Sequence, residues 1–126
     1  FYLRSALNGK VLDVQGGKKD PGTKVIMYSR NAKQTDNQLW TLDAAGIIHS
    51  ALTGHVLDTS GACVTLQPHN RGSPHRQWRM HGDLIINSHF PGKALDIKAA
   101  NQADRAELIM YNTTGNSNQK WTMDYI

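Results

Sequence analysis

Three stretches of the chain are nearly the same: YLRSALNGKVLDV at 2–14, IIHSALTGHVLDT at 47–59 and IINSHFPGKALDI at 85–97. Each is followed by a second apolar stretch (KVIMYS, CVTLQP or ELIMYN) and then by a Trp, in NQLWTL, HRQWRM and NQKWTM. The aspartates of the Gly-x-x-Leu-Asp segments are Asp13, Asp58 and Asp96, at intervals of 45 and 38 residues. The tryptophans are Trp40, Trp78 and Trp121, at intervals of 38 and 43. Three units, approximately 1–45, 46–82 and 83–126, therefore fill a chain of single-domain length. Nothing else in the sequence restricts the architecture as strongly as this repetition.

Each unit holds about four short strands, separated by Gly, Asn, Pro and Asp turn signals. No segment keeps a helical period over about ten residues. Twelve or so short strands in three repeats predict an all-β, closed, pseudo-threefold structure. A propeller of three blades would fall below the usual minimum. An open solenoid would need polar capping units, whereas the end units here resemble the middle one. The expected fold is a β-trefoil.

At this point the chain resembles a known family. Gln38-Leu39-Trp40 and Gln119-Lys120-Trp121 give a Gln-x-Trp in register with the Leu-Asp strands, which is similar to the R-type (ricin B-chain-like) lectins. The resemblance covers essentially all 126 residues and implies a carbohydrate-binding β-trefoil. Plant members carry disulfides, and the single Cys63 excludes an internal one, so the chain looks closer to disulfide-free invertebrate or microbial members.

Much of the repeat reads as scaffold. Strand alternation puts Leu12 and Val14 on one face and Asp13 on the other. Val25 and Met27 likewise face away from Ile26 and Tyr28, and Leu108 and Met110 from Ile109 and Tyr111. The tryptophans are expected in the core, and Gln38 and Gln119, two residues before a core Trp, are expected to satisfy buried polar groups. Gly9, Gly54 and Gly92 read as turn residues.

An outward Asp, an outward aromatic and the Asn before the Gln remain, and here the repeats differ. Tyr28 follows Asp13 by 15 residues and Tyr111 follows Asp96 by 15, while Asn37 and Asn118 precede the two glutamines. The middle copy has Gln67 only 9 residues after Asp58, and His75 and Arg76 replace Asn and Gln. A core requirement would act on all three copies alike, so loss of the set in one copy points to a ligand. A carboxylate accepts hydrogen bonds from neighbouring hydroxyls, an Asn amide donates and accepts, and an aromatic face suits the C–H side of a pyranose.

By the resemblance, the ligand is a galactose or N-acetylgalactosamine glycan. Site one is then Asp13, Tyr28 and Asn37 with Gln38 in support, and site three is Asp96, Tyr111 and Asn118 with Gln119 in support. Gly16 and Lys98, just past each Asp, are expected at the pocket edges. The predicted partners are galactose-type glycoconjugates on cell surfaces. Two sites would cross-link glycans, and a homodimer would extend this.

Other functions find less support. Six histidines show no spacing that fixes ligands on one element, so no metal or other cofactor is expected. There is no Gly-x-Ser-x-Gly, no phosphate loop and no glycosidase-like carboxylate pair in sequence, so no enzyme is expected. A net charge of +4 without a basic cluster argues against nucleic acid. No run approaches the roughly 18 apolar residues of a membrane span. The chain starts at Phe1, which leaves localisation open, secreted or soluble intracellular, and leaves room for a targeting module of a larger glycosidase or toxin. Asn112-Thr113-Thr114 is a glycosylation acceptor directly after Tyr111.

Overall fold

Apolar residues alternating over three to five positions, cut short by glycine turns, become twelve β-strands in the computed structural model, which describes residues 1–69 and 74–126. In the first repeat they are β1 (Tyr2–Ser5), β2 (Val11–Val14), β3 (Val25–Tyr28) and β4 (Trp40–Leu42). The second contributes β5 (Ile48–Ser50), β6 (Val56–Thr59), β7 (Val64–Gln67) and β8 (Trp78–His81), and the third β9 (Leu84–Asn87), β10 (Lys93–Ile97), β11 (Leu108–Asn112) and β12 (Trp121–Asp124). Among the described residues the only helical segments are single 3-10 turns.

The strands divide into two sets. β12 pairs with β1, β4 with β5 and β8 with β9, all antiparallel and each joining successive repeats. Within a repeat the ring is closed by the main chain of the Trp. Trp40 N donates to Phe1 O at 2.9 Å, Trp78 N to Gly46 O at 2.7 Å and Trp121 N to Asp83 O at 2.8 Å. These six strands make a barrel, and a closed barrel leaves no unpaired edge.

The other six strands form the hairpins β2–β3, β6–β7 and β10–β11, which are hydrogen-bonded to one another in a triangle. Met27 N donates to Ala106 O, Leu66 N to Thr23 O and Met110 N to Gly61 O, at 3.0, 2.9 and 2.9 Å. Barrel and hairpin triplet together are the β-trefoil that the repeat pattern predicts.

Alternation places Leu12, Val14, Val25, Met27, Leu57, Leu66, Leu95, Ile97, Leu108 and Met110 in one core with all three tryptophans. A buried indole N–H needs an acceptor, and each repeat supplies the same one. Trp40 Nε1 donates to Leu12 O, Trp78 Nε1 to Leu57 O and Trp121 Nε1 to Leu95 O, at 3.2, 3.0 and 3.1 Å. The recurrent Leu is thus held by its side chain in the core and by its carbonyl on a Trp, which fixes the direction of the Asp that follows it.

Gly9, Gly54 and Gly92 adopt φ near +77°, +76° and +75°, and a Cβ there would meet no atom within 4 Å. Backbone conformation alone selects glycine at these turns. In the first two copies a buried Ser opens the turn, as Leu7 N donates to Ser5 Oγ and Leu52 N to Ser50 Oγ. An ungapped comparison of the sequences matches Ser88 to these serines, but the structure puts Asn87 there. Asn87 Oδ1 accepts from His89 N at 2.9 Å, and Asn87 pairs with Trp78 as Ser5 pairs with Trp121. The third turn carries one extra residue, and the longer Asn side chain fills the position.

Candidate functional site

The two hairpins that carry an outward Tyr share one register. Val11 lies opposite Tyr28 and Asp13 opposite Ile26, while Ala94 lies opposite Tyr111 and Asp96 opposite Ile109. Because a strand alternates sides, Asp and Tyr share the face turned away from the core. Past each Asp, a 3-10 turn, Gln15–Gly17 or Lys98–Ala100, folds back over that face. It requires left-handed backbone: Gly16 and Gly17 have φ of 67° and 60°, and Ala99 and Ala100 have 57° and 51°.

The opposite wall is the 3-10 turn before each core Trp, Asp36–Gln38 or Ser117–Gln119. Gln38 Nε2 donates to Asp13 Oδ2 at 2.8 Å and to Ser29 O at 3.0 Å, and Gln38 Oε1 accepts from Asn31 N at 2.9 Å. Gln119 repeats all three: Nε2 donates to Asp96 Oδ2 at 2.8 Å and to Asn112 O at 2.9 Å, and Oε1 accepts from Thr114 N at 2.8 Å. Both glutamines are fully buried. They tie the carboxylate, the end of the second hairpin strand and the following loop together from behind.

Asn37 Nδ2 also donates to Asp13 Oδ2, at 3.2 Å, whereas Asn118 Nδ2 donates to Ile97 O at 3.1 Å. The bonds to Asp13 from Gln38 and Asn37 and the bond to Asp96 from Gln119 all end on Oδ2. Each Asp thus has one oxygen anchored and leaves Oδ1 open to accept from a ligand. Burial pushes both carboxyls above the ordinary value of 3.8, and the Gln and Asn donors pull them partly back.

Cavities lie over both carboxylates. The site-one cavity, about 180 Å³, is lined by Asp13, Gly16, Tyr28, Asn31, Asn37 and Arg105, with Ile26 behind. The site-three cavity, about 420 Å³, is lined by Asp96, Lys98, Ala99, Tyr111, Thr114 and Asn118, with Ile109 behind. The first cavity thus brings together Asp13, Gly16, Tyr28 and Asn37 and the second Asp96, Lys98, Tyr111 and Asn118, while Gln38 and Gln119 stand behind the carboxylates. Tyr111 is half exposed. Lys98 Nζ lies 3.6 Å from Glu107 Oε2.

The middle repeat differs at each part. Its hairpin turns through residues 60–63 only and supplies no wall past Asp58. Arg76 Nε donates to Asp58 Oδ2 at 3.0 Å and Thr59 N to Asp58 Oδ1 at 2.8 Å, so both oxygens are taken. Gln67, at the Tyr position opposite Val56, hydrogen-bonds Thr65 Oγ1 at 3.3 Å.

Sequence reasoning missed Arg105, Asn31 and Thr114. Arg105 belongs to the third repeat but lines site one, and its N–H donates to Met27 O at 2.7 Å. The signal available was its alignment with Gly22, a left-handed position (φ 84°) where Arg105 has φ 71°.

A family model for the ricin-type β-trefoil lectin domain matches residues 1–121. The chain belongs to this family. Among solved structures, the R-type lectin family is represented by the C-half of an earthworm lectin in complex with GalNAc. That chain is 34% identical, with a TM-score of 0.89, covering 97% of this chain and 95% of that one. Mucoricin of Rhizopus delemar is 32% identical over 50 residues, 40% of this chain and 34% of its own length. Nigrin b of Sambucus nigra is 28% identical over 96 residues, 68% of this chain and 17% of its own. The chain thus spans about a third or less of the length of these two relatives. Among the described residues no three His, Cys, Asp or Glu side chains are grouped to hold a metal ion, and no helix is long and apolar enough to cross a membrane.

Proposed function

We propose that the protein is a non-enzymatic lectin that binds galactose or N-acetylgalactosamine glycans through sites one and three. The observation that carries this reading is the half-anchored carboxylate. Gln38 or Gln119 fixes Oδ2, and Oδ1 is left open beside a Tyr on the same hairpin face. Two vicinal hydroxyls donate to the carboxylate, the Asn amide bonds a third polar group, and the Tyr ring covers the C–H face. The earthworm lectin half, alike over nearly its whole length, is a complex with GalNAc, which supports the choice of sugar.

Each cavity has one carboxylate in its lining, Asp13 or Asp96, whereas glycoside hydrolysis ordinarily uses two. This supports binding without turnover. A shallow single site gives about millimolar affinity for a monosaccharide, about 4 kcal/mol. Two sites on one rigid body cross-link glycans and gain avidity, further so in a dimer. Calorimetry with N-acetylgalactosamine tests the reading. Asp13→Ala and Asp96→Ala should each remove one site and together abolish binding, with the fold intact by circular dichroism. Binding that persists in the folded double variant refutes the assignment.

A second reading is a carbohydrate-targeting module of a larger glycosidase or toxin. The match to nigrin b over only 17% of that protein favours it. The complete gene decides between the two, since the first reading requires no catalytic domain alongside.

A further inference from the structure

The two sites carry different charge. In site three the lining cation Lys98 lies beside Glu107 Oε2. In site one the lining cation is Arg105, delivered by the neighbouring repeat and fixed at its backbone by the bond from its N–H to Met27 O. Its guanidinium has no hydrogen-bond or ion-pair partner among the described residues. The adjacent carboxylate, Asp104, is already engaged, with Lys10 Nζ at 2.9 Å and with Ser29, which donates from N at 2.9 Å and from Oγ at 2.8 Å. The one acid in the cavity wall, Asp13, has its Oδ2 held by Gln38 and Asn37.

Arg105 lines the cavity, and an unpartnered guanidinium on a lining residue suits a planar or tetrahedral anion, which it can bind through two parallel N–H groups. We propose that Arg105 makes site one selective for galactose-type glycans bearing an anionic substituent, a sulfate or a carboxylate, while site three takes neutral ones. This rests on the reading of site one as a galactoside site. The neutral hydroxyls meet Asp13 and Tyr28, and the acidic substituent lies on the side of Arg105. One domain then joins an acidic glycan to a neutral one.

The test uses Asp96→Ala protein, in which site one alone is intact, titrated by NMR with methyl galactoside, galactose 3-sulfate, galactose 6-sulfate and galacturonic acid. At low salt at least one acidic sugar should bind about fivefold more tightly than the neutral one, and the advantage should shrink at 0.5 M salt. Whether sulfates or galacturonic acid gains identifies the anion. Arg105→Gln and Arg105→Gly should each bring the acidic-to-neutral ratio to about one or below. The glycine variant suits the left-handed backbone as Gly22 does in the first repeat, so misfolding does not explain the loss. An acidic sugar that binds no better than the neutral one, or an advantage that survives both substitutions, overturns the proposal. If no galactoside of either kind binds the Asp96→Ala protein, the underlying site assignment fails instead.

Discussion

Gln38 Nε2 lies 2.8 Å from Asp13 Oδ2, and the same amide carries the main chain of two loop residues. A fully buried side chain thus sets the position of the group proposed to meet the sugar. Gln38→Ala would leave Asn31 N–H and Ser29 C=O without their side-chain partner and Asp13 Oδ2 with the longer Asn37 bond alone. The expected loss is about 3 kcal/mol of stability in urea unfolding, since each buried group left unpaired costs about 1–3 kcal/mol. Site-one affinity should fall at least about tenfold, while site three, with its own Gln119, keeps its affinity.

The raised carboxyls make binding and stability respond oppositely to pH. Burial lifts Asp13 and Asp96 above 3.8 in the folded chain. The folded state therefore holds these protons to higher pH than the unfolded chain. Their contribution is unfavourable once both states are ionised, and stability declines as pH rises from 3.8 through the folded values. Glycan binding needs the ionised form and should disappear as pH falls, with a midpoint above 3.8. Asp43, Asp104 and Asp124 are lowered by their hydrogen-bonded partners, so their small stabilising effect is lost only as pH falls below 3.8. Titrating affinity and unfolding free energy on one sample checks both signs. A binding midpoint below 3.8 would contradict the burial of these groups.

Arg76→Gln restores in the middle repeat the residue found in the other two. Asp58 loses its ion pair, whose side chains are 12% and 16% exposed, at an expected loss of about 1 kcal/mol. No third site should appear, because the turn at 60–63 builds no wall past Asp58. Binding stoichiometry should stay as in the parent protein; a gain of one sugar per chain would show that Arg76 alone closes the site.

Ala99 and Ala100 occupy left-handed backbone where the first repeat has Gly16 and Gly17. A Cβ there is penalised by about 1–2 kcal/mol, partly offset by the freedom that glycine adds to the unfolded chain. Ala99→Gly and Ala100→Gly should each stabilise by about 0.5–1 kcal/mol, read as a rise in the thermal midpoint. An equal or lower midpoint would mean that the turn Lys98–Ala100 relaxes without strain.

The sequence displays whatever recurs along a single strand or at a fixed offset. Trp40, Trp78 and Trp121 mark the core, and the 15-residue step from Asp to Tyr marks the hairpin register that puts both on one face. Contacts across repeats leave no such trace. Arg105 reaches site one over 92 residues from Asp13, through a bond to Met27 that no local pattern encodes. The exchange of Ser5 and Ser50 for Asn87 is hidden because a one-residue insertion in the turn lines up Ser88 in its place. Asn37 and Asn118 look identical in sequence yet donate to different acceptors.

The pairing of β1 with β12 places Tyr2 opposite Asp124, so the two ends of the ring meet as any two successive repeats do. The order in which the polypeptide visits the ring is therefore separable from the ring itself. A chain reopened in the turn at 60–63, with residues 126 and 1 joined by a short linker, would trace the same twelve strands from a different starting point. Each proposed pocket would form from the same neighbours, since it depends on who stands beside whom around the axis and not on who is synthesised first.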